Sequence, residues 1–207
     1  MTFSTQLQNE LKNLPGEEAH VEMFPLRART SEALKTVEGY RLSAVMALLY
    51  PAGASHNLIL IERQDYDGKH SGQMSFPGGK KEDEDYSSLE AALRETHEEI
   101  GIHPDHIKVL GRLTDVYIPV SNFLVHSYVG MLESKPEIVA DAREVKSIFT
   151  FDVNELLHEK NRVITTVSVG KGATMKDVPA FNIDGKIIWG ATALMLNEIQ
   201  IILKRFS

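Results

Sequence analysis

Glu95, Glu98 and Glu99 stand at i, i+3 and i+4 in the segment LRETHEEIG. At helical spacing these three carboxylates project from one face, where like charges repel by a few tenths of a kcal/mol per pair. A hard divalent cation relieves that repulsion, because Mg²⁺ takes oxygen ligands from one or two carboxylates and completes its shell with water and substrate phosphate. Metal-assisted hydrolysis of a phosphate linkage is the chemistry such a cluster supports. A solvated acidic face gives the same spacing, so the elements around it must decide.

Those elements are legible. Ser87 followed three residues on by Glu90 forms a capping box for a helix start, and Gly101 sits where a left-handed C-terminal cap belongs. Between them Leu89, Leu93, Thr96 and Ile100 recur on a face expected to pack on the core, with the glutamates directed away from it. Ahead of the helix, Pro77-Gly78-Gly79 punctuates the end of Met74-Ser75-Phe76. Further upstream, Ala44 to Tyr50 and Asn57 to Arg63 read as two strands around the turn-rich Pro51 to Ser55, and Gln64 to Gln73 reads as a polar loop. Strand-like segments follow at Val109 to Ile118, Phe123 to Leu132, Val145 to Phe151 and Val163 to Val169, and Ala191 to Leu203 has helical spacing. Strands interspersed with helices predict an α/β domain with a mixed sheet and helices on its faces. Phe3, Leu7, Leu11 and Leu14 predict a short opening helix ended by Pro15-Gly16, and residues 17 to 40 read as a connecting arm. Residues 1–40 thus form an N-terminal helix and arm, and residues 41–207 form the domain. The arm either packs on the domain or makes a subunit contact in a homodimer.

Composition narrows the function classes. At 207 residues, 43% hydrophobic and 25% charged, the chain has the size and make-up of one globular domain. A net charge of −7 argues against general nucleic-acid affinity. The absence of cysteine excludes disulfides, thiolate metal sites and cysteine nucleophiles. The N-terminus lacks a basic start followed by an apolar stretch, and no apolar run approaches the roughly 20 residues of a membrane helix. A soluble, cytoplasmic protein with no membrane partner is expected.

Read as one string, FPGGKKEDEDYSSLEAALRETHEEIGI resembles the Nudix hydrolase signature, G-x(5)-E-x(7)-R-E-φ-x-E-E-x-G-φ, through Gly79, Arg94, Glu95, Glu98, Glu99, Gly101 and Ile102. The spacing from Gly79 to Arg94 is one residue longer than the signature, Asp85 replaces its first glutamate, and Thr96 takes its apolar position. The resemblance implies a Nudix-type α/β/α sandwich that cleaves a nucleoside diphosphate linked to another moiety, with Mg²⁺ or Mn²⁺ as cofactor and a small nucleotide as substrate. It makes Glu95 and Glu99 the main metal ligands, lets Glu98 share a metal or polarise water, and gives the Gly78 carbonyl as a further ligand. Arg94 is implied to hold a glutamate in place. Glu144, at the start of a predicted strand, is the candidate base or further ligand from outside the helix.

HSGQMSFPGGK, Tyr117-Ile118-Pro119-Val120-Ser121 and Trp189-Gly190-Ala191-Thr192-Ala193 extend the likeness toward the coenzyme A pyrophosphatase branch, whose longer spacing through Asp85 is also present. That branch's motif ahead of the turn, L-L-T-x-R-S-x(3)-R-x(3)-G-x(3)-F-P-G-G, is met by Arg63, Gly72 and Phe76 to Gly79; Ile61, Gln64 and Gly68 replace its Thr, Ser and second Arg. Arg63, Lys69, His70 and Gln73 are the expected substrate-binding residues, and Trp189 either stacks on a base or belongs to the core. Coenzyme A or acyl-coenzyme A is the expected substrate. ADP-ribose or a nucleoside diphosphate sugar is the rival, and a non-catalytic nucleotide-binding module is a reading of another class.

Overall fold

The structure, a computed structural model, describes residues 1–64, 72–170 and 173–206. In chain order its helices are α1 (Phe3–Glu10), α2 (Glu17–Met23), α3 (Thr30–Ala33), α4 (Ser88–Ile100) and α5 (Gly190–Leu203). Its strands are β1 (Arg41–Ala52), β2 (Ser55–Arg63), β3 (Met74–Ser75), β4 (Gly78–Lys80), β5 (Lys108–Arg112), β6 (Val116–Ile118), β7 (Phe123–Met131), β8 (Val145–Asp152), β9 (Arg162–Gly170), β10 (Ala173–Ile183) and β11 (Lys186–Trp189).

The first eight strands make one mixed sheet whose central pair, β1 and β7, is parallel; β2, β3, β5, β6 and β8 pair antiparallel around it. The run Ala44 to Tyr50 is continuously apolar because β1 is covered on both faces, as parallel central strands are. Side chains alternate across a strand. Ala44, Met46, Leu48 and Tyr50 therefore pack with Ala91, Ala92 and Ile100 of α4, while Ala47 and Leu49 pack with Leu194, Ile199 and Ile202 of α5. Two helices on opposite faces of one mixed sheet make the expected α/β/α sandwich.

Three segments depart from the sequence reading. The expected strand Val109 to Ile118 is two strands. At Thr114 the backbone N–H and the hydroxyl both turn to the buried Glu198 carboxylate of α5 (3.0 and 2.6 Å), so the ladder breaks between Arg112 and Val116. Val163 to Val169 is a strand as expected, but it joins β10 and β11, which the sequence reading did not mark, in a separate three-stranded sheet. The signal for that hairpin was Asp184-Gly185, a two-residue loop with both φ angles positive (49° and 80°), the turn that hairpins favour. The expected arm, residues 17–40, contains α2 and α3, and α2 lies on α5. There Asn197 donates to the Ala19 carbonyl at 2.7 Å, and Ala19, His20 and Met23 are buried.

Candidate active site

Helix α4 forms as its caps require. The Ser87 hydroxyl accepts from the Glu90 N–H at 3.1 Å as the expected cap, while the Glu90 carboxylate reaches one residue beyond the capping-box position and accepts from the Tyr86 N–H at 2.7 Å. Gly101 ends the helix with φ 75°, donating to the His97 carbonyl at 2.9 Å. The buried stripe differs from the expected one: Ala91, Ala92, Thr96, Glu99 and Ile100 are enclosed, while Leu89 and Leu93 are only partly covered. The glutamates therefore do not point away from the body of the protein. Their face lies against the Gly78-Gly79 turn, and Glu99 is 1% exposed. Such close packing is allowed because Thr96 satisfies its buried hydroxyl on the Ala92 carbonyl at 2.6 Å, one turn back.

Glu99 accepts from the Gly78 N–H at 2.8 Å through Oε2 and from Arg63 Nη1 at 3.2 Å through Oε1. Burial pushes its carboxyl up to about 7 against the pull of those two donors, and the nearby Glu95 and Glu144 push the same way. Glu95 is also raised, first by burial and then by Glu98 and Glu144, with Arg94 opposing. Glu98 is half-exposed. Glu144 sits in the turn before β8, its carbonyl accepting from the Gln64 N–H at 2.8 Å. Its charge is felt by both Glu95 and Glu99, so the fold brings it to the cluster across 45 or more residues of chain.

Arg94 ties this edge together. Its Nε and Nη2 fork onto Asp85 at 3.0 and 2.9 Å, its Nη1 reaches Glu95 at 2.9 Å and Glu98 at 3.1 Å, and its Nη2 also meets the Lys80 carbonyl at 3.2 Å. The guanidinium beside it holds the buried Asp85 carboxyl below its usual range. Asp85, which the spacing marked only as a departure from the signature, is thus the counter-charge that fixes the rotamer of Arg94. Ser43, which no sequence motif marked, donates to the Gly79 carbonyl at 2.7 Å and fastens the turn to β1.

An all-oxygen donor set of mutually repelling, partly desolvated carboxylates suits a hard divalent cation. Among the described residues no three His, Asp or Glu side chains already stand in a ligating arrangement. Arg94 engages Glu95 and Glu98, while Arg63 and the Gly78 N–H engage Glu99, so a cation would exchange for those bonds. The donor chemistry fits the ion.

Beside the cluster a cleft of about 810 Å³ opens on the α5 side of the sheet. Arg63, Gln73, Gly78 and Gly79 line one end. Pro119, Val120 and Ser121 line it from the β6–β7 turn, and Trp189 to Ala193 line it from the start of α5. Val169, Met175 and Val178 close it from the small sheet. Trp189 is a partly buried wall residue at the cap of α5. Lys69 and His70 lie outside the described residues. Among the described residues no helix is long and apolar enough to cross a membrane.

A family model described as NUDIX domain matches residues 40–166. The mitochondrial coenzyme A diphosphatase NUDT8 of Homo sapiens is 32% identical over 82% of this chain and 68% of its own. The Nudix hydrolase NudL of Yersinia enterocolitica is 31% identical over 69% of this chain and 71% of its own. Among solved structures, the Nudix hydrolase RenU of M. Smegmatis superposes with a TM-score of 0.57 at 12% identity, covering 83% of this chain and 90% of that one. A MutT/nudix family protein from Enterococcus faecalis gives 0.53 at 17% identity, covering 91% and 74%.

Proposed function

The chain belongs to the Nudix family, and from that premise we propose that it hydrolyses the diphosphate linkage of coenzyme A or an acyl-coenzyme A, releasing phosphopantetheine or its acyl form and adenosine 3′,5′-bisphosphate. As a Nudix hydrolase it acts on a diphosphate bond and depends on a divalent cation, here Mg²⁺ or Mn²⁺. One observation carries the choice of substrate. Three segments far apart in sequence line a single cleft, which the Gly78-Gly79 turn joins to the carboxylate cluster: Gln73 to Phe76 with Gly78 and Gly79, Pro119 to Ser121, and Trp189 to Ala193, all of them within the coenzyme A-like pattern. The cleft's volume is within the range of pockets that enclose a small molecule.

In this reading Glu95, Glu98 and Glu99 hold the cation, with the Gly78 carbonyl as a further ligand. Bound there, it neutralises diphosphate oxygens and makes water a stronger nucleophile. Arg94, held by Asp85, positions Glu95 and Glu98 so that little conformational entropy is lost on reaching the reactive arrangement. Arg63, which lines the cleft, shares its guanidinium between Glu99 and a substrate phosphate, and Gln73 offers an amide to the same ligand. Glu144 takes the proton of the attacking water, because it faces the cluster from a turn outside the helix and remains exposed.

The test is turnover of coenzyme A, acetyl-coenzyme A, ADP-ribose and a nucleoside diphosphate sugar with Mg²⁺ or Mn²⁺, with products separated by chromatography. Adenosine 3′,5′-bisphosphate as the main nucleotide product is expected. Efficient cleavage of ADP-ribose alone would overturn the coenzyme A assignment.

A further inference from the structure

Between α2 and α3 the chain runs Phe24-Pro25-Leu26-Arg27-Ala28-Arg29, ahead of the residues that the family model matches. Phe24 and Arg27 nevertheless line the cleft. The turn that carries them is fixed at both ends. Glu17 of α2 accepts from the N–H and the hydroxyl of Ser31 at 2.6 and 2.5 Å, and Thr30 accepts from the Tyr117 N–H at 3.0 Å. The Arg27 N–H donates to the Phe24 carbonyl at 3.0 Å, and its guanidinium donates through Nη2 to the carbonyl of Tyr117 on β6.

Arg63 and Arg94 are each met by a carboxylate; among the described residues Arg27 is met by none. Met23 and Phe24, just before it in the chain, and Ile118, next to its partner Tyr117, line the same cleft and are apolar. Burial alone acts on the guanidinium, lowering its proton affinity, with no acidic group acting in the other direction. A desolvated cation without a counter-ion is costly to hold. A guanidinium with one N–H committed to a carbonyl still presents a fork that matches a phosphate.

We propose that Arg27 anchors a second anion subsite in the cleft, which takes a phosphomonoester of the substrate separate from the diphosphate that is cut. The proposal rests on the nucleotide reading above; in coenzyme A the group is the 3′-phosphate of the adenosine half. The N-terminal segment then selects substrate as well as covering α5.

Calorimetric titration of the full chain with adenosine 3′,5′-bisphosphate and with adenosine 5′-monophosphate, in Mg²⁺ buffer, tests it without turnover. The native protein should bind the bisphosphate about ten- to a hundredfold more tightly, the worth of one charge-assisted hydrogen-bond pair. Arg27→Gln should bind both alike, with its affinity for the monophosphate unchanged. Equal affinity in the native protein, or a preference that survives in Arg27→Gln, would overturn the proposal. Should Arg27→Gln lose both ligands, Arg27→Lys decides: it keeps stem and charge but not the fork, so a reduced preference supports the subsite and a full one refutes it. Coenzyme A turnover is scored separately. Its failure with the bisphosphate preference intact sinks the coenzyme A assignment alone, and turnover without that preference sinks the subsite alone.

Discussion

Gly79 stands directly against the carboxyl group of Glu95: a Cβ at position 79 would lie 2.4 Å from both Cδ and Oε2. Gly78, one residue earlier, faces backbone instead, where a Cβ would lie 2.3 Å from the Ala44 carbonyl oxygen and 2.5 Å from the Val45 Cα. The adjacent glycines therefore do different things. Gly78 lets β4 pass close to β1 at φ 146°, and Gly79 leaves room for a carboxylate.

Gly79→Ala should push aside the flexible end of Glu95 and leave the backbone where it is. We expect kcat to fall about a hundredfold, the usual effect of a reacting group misplaced by about 1 Å, with the urea midpoint nearly unchanged. Gly78→Ala has no such escape, and should cost about 3 kcal/mol in urea unfolding through overpacking and backbone strain. Full activity in Gly79→Ala would remove Glu95 from the metal site.

Glu99→Gln should reduce kcat/KM by on the order of a thousandfold, since a charged ligand of the cation is worth several kcal/mol. Stability should hold, because an amide oxygen still accepts from the Gly78 N–H and a desolvated carboxyl is removed. Millimolar Mg²⁺ should raise the melting midpoint of the native protein, a cation at about a hundred times its Kd adding about 2.7 kcal/mol. The same addition should leave Glu99→Gln unshifted. A shift of equal size in both proteins would place the cation elsewhere.

Glu144→Gln separates proton transfer from binding. Loss of a general base lowers kcat by about a hundredfold or more and leaves KM close to its native value. A change confined to KM would make Glu144 a substrate contact.

Glu62 ties the two sheets together. It accepts from Lys186 of β11 at 2.9 Å and from Ser147 of β8 at 2.9 Å, with Lys146 at 3.3 Å. Lys186 first, then Ser147 and Lys146, hold its carboxyl at about 2 in the fold against the opposing effect of burial. An unfolded glutamate titrates at about 4.3. A depressed folded value means that the stabilisation is complete above the unfolded value and is lost as pH falls toward 2. The stability difference between the native protein and Glu62→Gln should therefore be largest near pH 6 and shrink steadily below pH 4.5, measured by urea unfolding across that range. A difference independent of pH would refute the ion-pair account.

What the amino-acid sequence determined by itself is the local machinery. The Ser87 and Glu90 cap, the Gly101 stop and the spacing of Arg94, Glu95, Glu98 and Glu99 depend on residues within a few turns of one another, so pattern and propensity suffice to place them. The β1–β2 hairpin and α5 were legible for the same reason. Tertiary structure decided which side of α4 is enclosed. Helical spacing says which residues share a face, but only the approach of the Gly78-Gly79 turn makes Glu99 a buried carboxyl near 7 instead of a solvated one. It also decided that Thr114 breaks a strand to reach Glu198, that β9 to β11 stand as a second sheet, that Glu144 adds its charge to the Glu95 and Glu99 cluster, and that Arg27 lines the cleft. The Thr114–Glu198 contact and the approach of Glu144 and Arg27 depend on residues tens of positions apart, which leave no trace in local periodicity, whereas β9 to β11 pair as successive hairpins and only their separation from the large sheet is tertiary.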